Sequence, residues 1–129
     1  MEAVYTQTRI KDRFIQNHTG FWYEHRWIIP VFITAVFCDA LSTIIFMNHL
    51  GIEAELHPVY YLVSKVLGPN IGPLIGAAGK IGAALVVGIY CRKFAPYLFL
   101  AITIISLWAA WYNVWGINIY VPLLVEWIP

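Results

Sequence analysis

Residues 27–47 read WIIPVFITAVFCDALSTIIFM, an apolar run with one charge, Asp39. A helix of about 20 apolar residues crosses the ~30 Å hydrocarbon core of a bilayer. The run is therefore read as a transmembrane helix from Trp27 to about Asn48. Pro30 falls in its first turn, where a missing N–H is tolerated. Asp39 is the unusual feature. A charge near the centre of a span costs roughly 2.5–3.5 kcal/mol on insertion scales, so it turns from lipid toward a partner or a polar site.

Two more runs follow. Residues 71–90, IGPLIGAAGKIGAALVVGIY, carry only Lys80, and residues 96–116 carry no charge. The fold class expected is all-α, a three-helix transmembrane bundle over 27–116. Composition agrees: the 129 residues are 60% hydrophobic and 12% charged, whereas soluble domains have about 45–50% and about 25%. A net charge of +1 offers no basic footprint for nucleic acid. The partner expected first is the lipid bilayer.

Residues 1–26 mix Arg9, Lys11, Arg13 and Arg26 with Ile10, Phe14, Phe21 and Trp22. This predicts an amphipathic segment at the membrane interface. It contains no short apolar core followed by a cleavage site, so the first span is expected to act as an uncleaved anchor. The connection 49–68 predicts a short helix opened by Pro58 and lying along the outer membrane surface. Residues 117–129 are apolar, contain Pro122 and are too short to span. They are expected to be an interfacial tail. Cys38 and Cys91 fall at different depths, which argues against a disulfide.

Charge also predicts sidedness. Arg9, Lys11, Arg13, Arg26, Arg92 and Lys93 share one side of a three-span topology, and Lys65 takes the other. The positive-inside rule then gives a multi-pass protein of the cell membrane with a cytoplasmic N-terminus. On the second span Gly72, Gly76, Gly79 and Ala83 recur at helical spacing. Small residues on one face let a neighbouring helix approach closely, so these four are read as a packing face.

Asp39, Ser42 and Thr43 share one face of the first span. Lys80 falls near the depth of Asp39 on an antiparallel helix. One reading is a buried ion pair that fixes helix register. The other is a charged site for a proton, an ion or a substrate. Asn113 falls in reach of the same layer, where its ordinary role is an amide bonded to neighbouring backbone. His49, Glu53, Glu55 and His57 are metal-ligand types, but their spacing matches no metal motif. They read instead as a solvated loop, with His57-Pro58 capping the next helix and Glu55 near its N-terminus. Trp108, Trp111 and Trp115 read as an interfacial aromatic belt with packing. No nucleophile motif, phosphate-cradling loop or haem spacing occurs, so the sequence names neither a cofactor nor a reaction.

The order Asp39-Ala-Leu-Ser-Thr43, Gly51-Ile-Glu-Ala-Glu55-Leu-His57-Pro58, Lys80 and Asn113 resembles a family of small prokaryotic integral membrane proteins of unknown function. That pattern has an Asp-x-x-(Ser/Thr)-Thr helix, then Gly…Glu-x-Asn-Pro, a lysine in the next span and an asparagine late in the third. This chain departs from it at His57, where the pattern has asparagine. The resemblance covers about residues 30–116. It implies that Asp39, Thr43, Glu55, Pro58, Lys80 and Asn113 form one polar cluster toward the outer leaflet. The function expected is an accessory or structural subunit of a larger membrane complex, of respiratory, photosynthetic or membrane-oxygenase type, with protein partners. The alternative is a small transporter or membrane enzyme built on Asp39 and Lys80.

Overall fold

The computed structural model describes residues 2–55 and 57–116, and every element among them is helical. The helices are α1 (Glu2–His18), α2 (Phe21–Glu24), α3 (Ile28–Leu50), α4 (Pro58–Leu67), α5 (Ile71–Tyr90) and α6 (Ala95–Trp111). Single 3₁₀ turns occupy Ile52–Ala54 and Arg92–Phe94, and α6 widens into a π turn over Tyr112–Gly116. Three segments are long and apolar enough to cross a membrane: Ile28–Leu50, Ile71–Tyr90 and Arg92–Trp115. This is the all-α, three-span architecture that the apolar runs require. The tail expected over 117–129 lies outside the described residues.

The central helix is α3. Its buried positions Phe32, Val36, Ala40, Thr43 and Met47 follow a helical stripe. Phe32 stacks on Phe99 of α6, with ring centroids 5.0 Å apart. Gly88 of α5 makes room for the same ring; a Cβ there would lie 2.7 Å from Phe99 Cζ. α5 runs against α3. At the far end of the bundle Asn48 Nδ2 donates to Asn70 Oδ1 at 2.8 Å.

At the near end, the amphipathic segment is two helices fastened to the spans. Asn17 Nδ2 donates to the Tyr90 carbonyl at 3.0 Å. Arg92 Nη1 donates to the carbonyls of Asn17 and Thr19 at 3.1 and 2.7 Å, and its Nε donates to Glu24 Oε2 at 2.6 Å. Phe21 is fully buried in the core they close over.

One placement differs from the sequence expectation. α4 does not lie flat on the outer surface; it packs antiparallel against the far half of α5. A Cβ added to Gly72 would lie 2.4 Å from Ser64 Cα, and one added to Gly76 would lie 2.6 Å from the Tyr60 ring. One turn back along α4 is therefore one turn forward along α5. The turn between them is short, and Gly68 supplies its positive φ of 90°. Glycines at the crossing remove the side chains that would hold the backbones apart. Continuing the register brings His57 level with Lys80, roughly 14 Å along α5 from Ile71. From Gly51 the chain thus re-enters the bundle and climbs back out as α4.

Within this chain α4 covers only half of the small-residue face, at Gly72 and Gly76. Gly79 and Ala83 are exposed, and nothing lies within 4 Å of a Cβ built on Gly79. α4 begins at Pro58, so the stripe of small residues continues past its end and is left uncovered by this chain. Cys38 and Cys91 are free and exposed.

Candidate functional site

Asp39 sits midway along α3, and its side chain is 4% exposed. Lys80 Nζ donates to its Oδ2 at 3.2 Å. Tyr60 reaches the same oxygen from α4, with its hydroxyl donating at 3.4 Å. Lys80 Nζ also lies 5.1 Å from the centroid of the Tyr60 ring. One carboxylate oxygen therefore joins three helices. Burial, reinforced by the Asp39 charge, raises the Tyr60 pKa above its ordinary 10.0, so the phenol is a donor.

A second layer lies toward the far end. Asn113 Nδ2 donates to Ser42 Oγ and Thr43 Oγ1, both at 3.1 Å. The amide thus bonds two side chains, not the neighbouring backbone expected from its sequence position. Ser42 Oγ in turn donates to the Asp39 carbonyl at 2.8 Å. The π turn holding Asn113 follows directly on α6 and carries this side chain to α3.

Glu55, His57 and Pro58 stand at the start of α4, with His57 as its N-cap. A helix start leaves backbone N–H groups without partners, a serious cost at membrane depth. Pro58 at the first helical position has no N–H to satisfy. Glu55 Oε1 accepts the His57 N–H at 2.7 Å, and His57 Nδ1 accepts the Tyr60 N–H at 3.5 Å. Burial first, then the Lys80 charge, lowers the His57 pKa from 6.5. That keeps the ring neutral and Nδ1 available as an acceptor. An asparagine side chain at this position could accept the same N–H.

Asp39, Thr43, Lys80 and Asn113 thus meet directly or through Ser42, while Glu55 and His57 cap the helix that delivers Tyr60. His49 and Glu53 are not part of this group. His49 Nδ1 bonds the Ile45 carbonyl at 2.8 Å, and Glu53 pairs with Tyr61 and Lys65 on the exposed side. Among the described residues no three His, Cys, Asp or Glu side chains gather as metal ligands. Trp108, Trp111 and Trp115 are exposed. Tyr60 is the member that sequence reasoning missed. Its signal was the mirror spacing of Tyr60 and Ser64 before the Gly68 turn and Gly72 and Gly76 after it.

Comparison with protein-family models, with curated proteins and with solved structures finds no match for this chain.

Proposed function

We propose that this chain is a small multi-pass subunit of a larger membrane complex. In this reading the Asp39–Lys80–Tyr60 centre is the clasp that holds the re-entrant hairpin. The observation carrying the proposal is the open small-residue face of α5. Gly79, Gly82 and Ala83 are exposed there, with nothing within 4 Å of a Cβ at either glycine. Such residues gain little from lipid contact, but they let another helix backbone come close. Support also comes from the polar centre, where Lys80, Tyr60 and Asn113 donate to Asp39, Ser42 and Thr43 of the same chain. The uneven distribution of Lys and Arg supports a location in the cell membrane with the N-terminus in the cytoplasm.

One observation favours a second reading, a small transporter or membrane enzyme. The Lys80 side chain is 24% exposed below the start of α4, so the ion pair is open on one side. Mild-detergent purification from native membranes, combined with a double-mutant cycle, separates the two. A stoichiometric partner lost on Gly79→Leu supports the subunit reading; a homo-oligomer carrying a small ligand overturns it. In the cycle, Asp39→Asn and Lys80→Met should each cost stability, because a stranded buried charge costs about 3–5 kcal/mol. The double variant should recover part of that loss. Purely additive losses would refute the clasp.

A further inference from the structure

At the near end, α1 and the last turn of α5 enclose an open cleft of about 920 Å³. Arg9, Arg13 and Tyr90 line it, together with Asn17 and one acidic side chain, Asp12. A smaller cleft of about 210 Å³ shares Arg13, Asn17 and Tyr90 and adds Arg92 and Lys93. The arginines have different roles. Arg92 is used by the fold, through Glu24 and two carbonyls. Arg13 stacks over the Tyr90 ring at 5.1 Å, which leaves its in-plane N–H groups for a ligand. Among the described residues no carboxylate bridges Arg9, Arg13 or Lys93.

Depth identifies the ligand. Tyr90 ends a spanning helix. Trp22, Tyr23, Trp27, Phe94 and Tyr97 are all exposed around this end of the bundle. Aromatic side chains collect where headgroups meet hydrocarbon. Val86 and Val87, one turn along α5 from Tyr90, are exposed at 56% and 50%. They share its helix face and offer an exposed apolar track beside the cleft.

We propose that these two adjoining clefts, joined at Arg13, Asn17 and Tyr90, bind the phosphate of an anionic phospholipid, with Arg13 at the junction holding it and Arg9 and Lys93 adding charge from either side. The acyl chains lie along Val86 and Val87. Arginine gives the phosphate paired N–H···O bonds, and the lipid tails supply the apolar half of the contact. Asn17 ties α1 to Tyr90, so an occupied cleft also fixes α1 on the bundle.

Native mass spectrometry of the full chain in neutral detergent tests this, with phosphatidylglycerol and phosphatidylcholine titrated separately. The anionic lipid should bind more tightly. Arg13→Gln and Lys93→Gln should each weaken it roughly fivefold. Among the described residues the Lys93 side chain makes no hydrogen bond or ion pair, so its variant reports binding without removing a contact of the fold. Lys11→Gln, on α1 but outside the cleft, should leave affinity unchanged. Equal affinity for the two lipids would overturn the proposal. An equal loss from Lys11→Gln would overturn it too, by showing diffuse attraction instead of a site. Displacement of the lipid by inorganic phosphate at comparable concentration would reassign the cleft to a soluble anion.

Discussion

Gly76→Ala is a one-carbon test of the re-entrant hairpin. The new Cβ would stand 2.6 Å from Tyr60 Cδ1 and 2.8 Å from Cε1, whereas ordinary contact begins near 3.4 Å. The ring must therefore retreat by roughly 0.8 Å, the difference between 3.4 and 2.6 Å. Tyr60 is only 1% exposed and packs against Phe46 and Met47, so it has little space to enter. Its hydroxyl already lies 3.4 Å from Asp39, and the retreat breaks that bond. Overpacking costs about 1–3 kcal/mol, and a lost hydrogen bond to a charged group about 1.5–3 kcal/mol. Because one motion causes both, a combined loss of about 2–4 kcal/mol is expected. For a chain of this size that lowers the melting temperature by roughly 10 °C. Thermal unfolding in mild detergent, followed by tryptophan fluorescence, reads the change. Gly79→Ala, facing open space, should leave the transition where it was. In a Tyr60→Ala background, Gly76→Ala should add almost nothing. An unchanged melting temperature for Gly76→Ala, or the same loss without the Tyr60 ring, would refute the antiparallel packing.

Two further outcomes follow from the same geometry. His57 has a folded pKa below its unfolded 6.5, so its contribution to stability is whole above pH 6.5 and is lost as pH falls below it. The melting temperature should therefore drop on acidification through that window, and His57→Asn should flatten the drop; parallel curves for the two proteins would count against the neutral cap. Sidedness can be read with thiols: in a Cys38→Ala background, an impermeant reagent outside cells should label Val66→Cys and spare the native Cys91. The opposite pattern would invert the orientation.

The spans were legible because hydropathy over twenty residues is a strong signal, and the described helices begin and end close to the apolar runs. The Asp39–Lys80 pair was legible for a related reason. Two charges at matched depth on antiparallel helices have few other places to go. The tilt of α4 was not legible. A ten-residue helix with apolar and polar sides suits either a membrane surface or a bundle flank, and only the close approaches at Gly72 and Gly76 decide between them. Which neighbour each of these small residues meets was not legible, because periodicity shows which face Gly79 and Ala83 share with Gly72 and Gly76, not where the α4 contact stops. Arg92 looked like an ordinary positive-inside charge. Its role in fastening α1 and α2 depends on carbonyls of residues 17 and 19, and a carbonyl leaves no mark in a sequence.

The polar centre also imposes an order on synthesis. Asp39 leaves the ribosome 21 residues before Tyr60 and 41 before Lys80. At roughly 5–20 residues per second, the carboxylate waits about 2–8 s for its counter-charge. Ser42 and Thr43 wait for an amide 71 and 70 residues downstream. Until then α3, apolar as it is, carries one charge without its counter-charge, a cost of roughly 2.5–3.5 kcal/mol on insertion scales. The partners of the centre can become available only in that order: α5 brings the counter-charge of Asp39, and the turn after α6 brings the amide of the layer above.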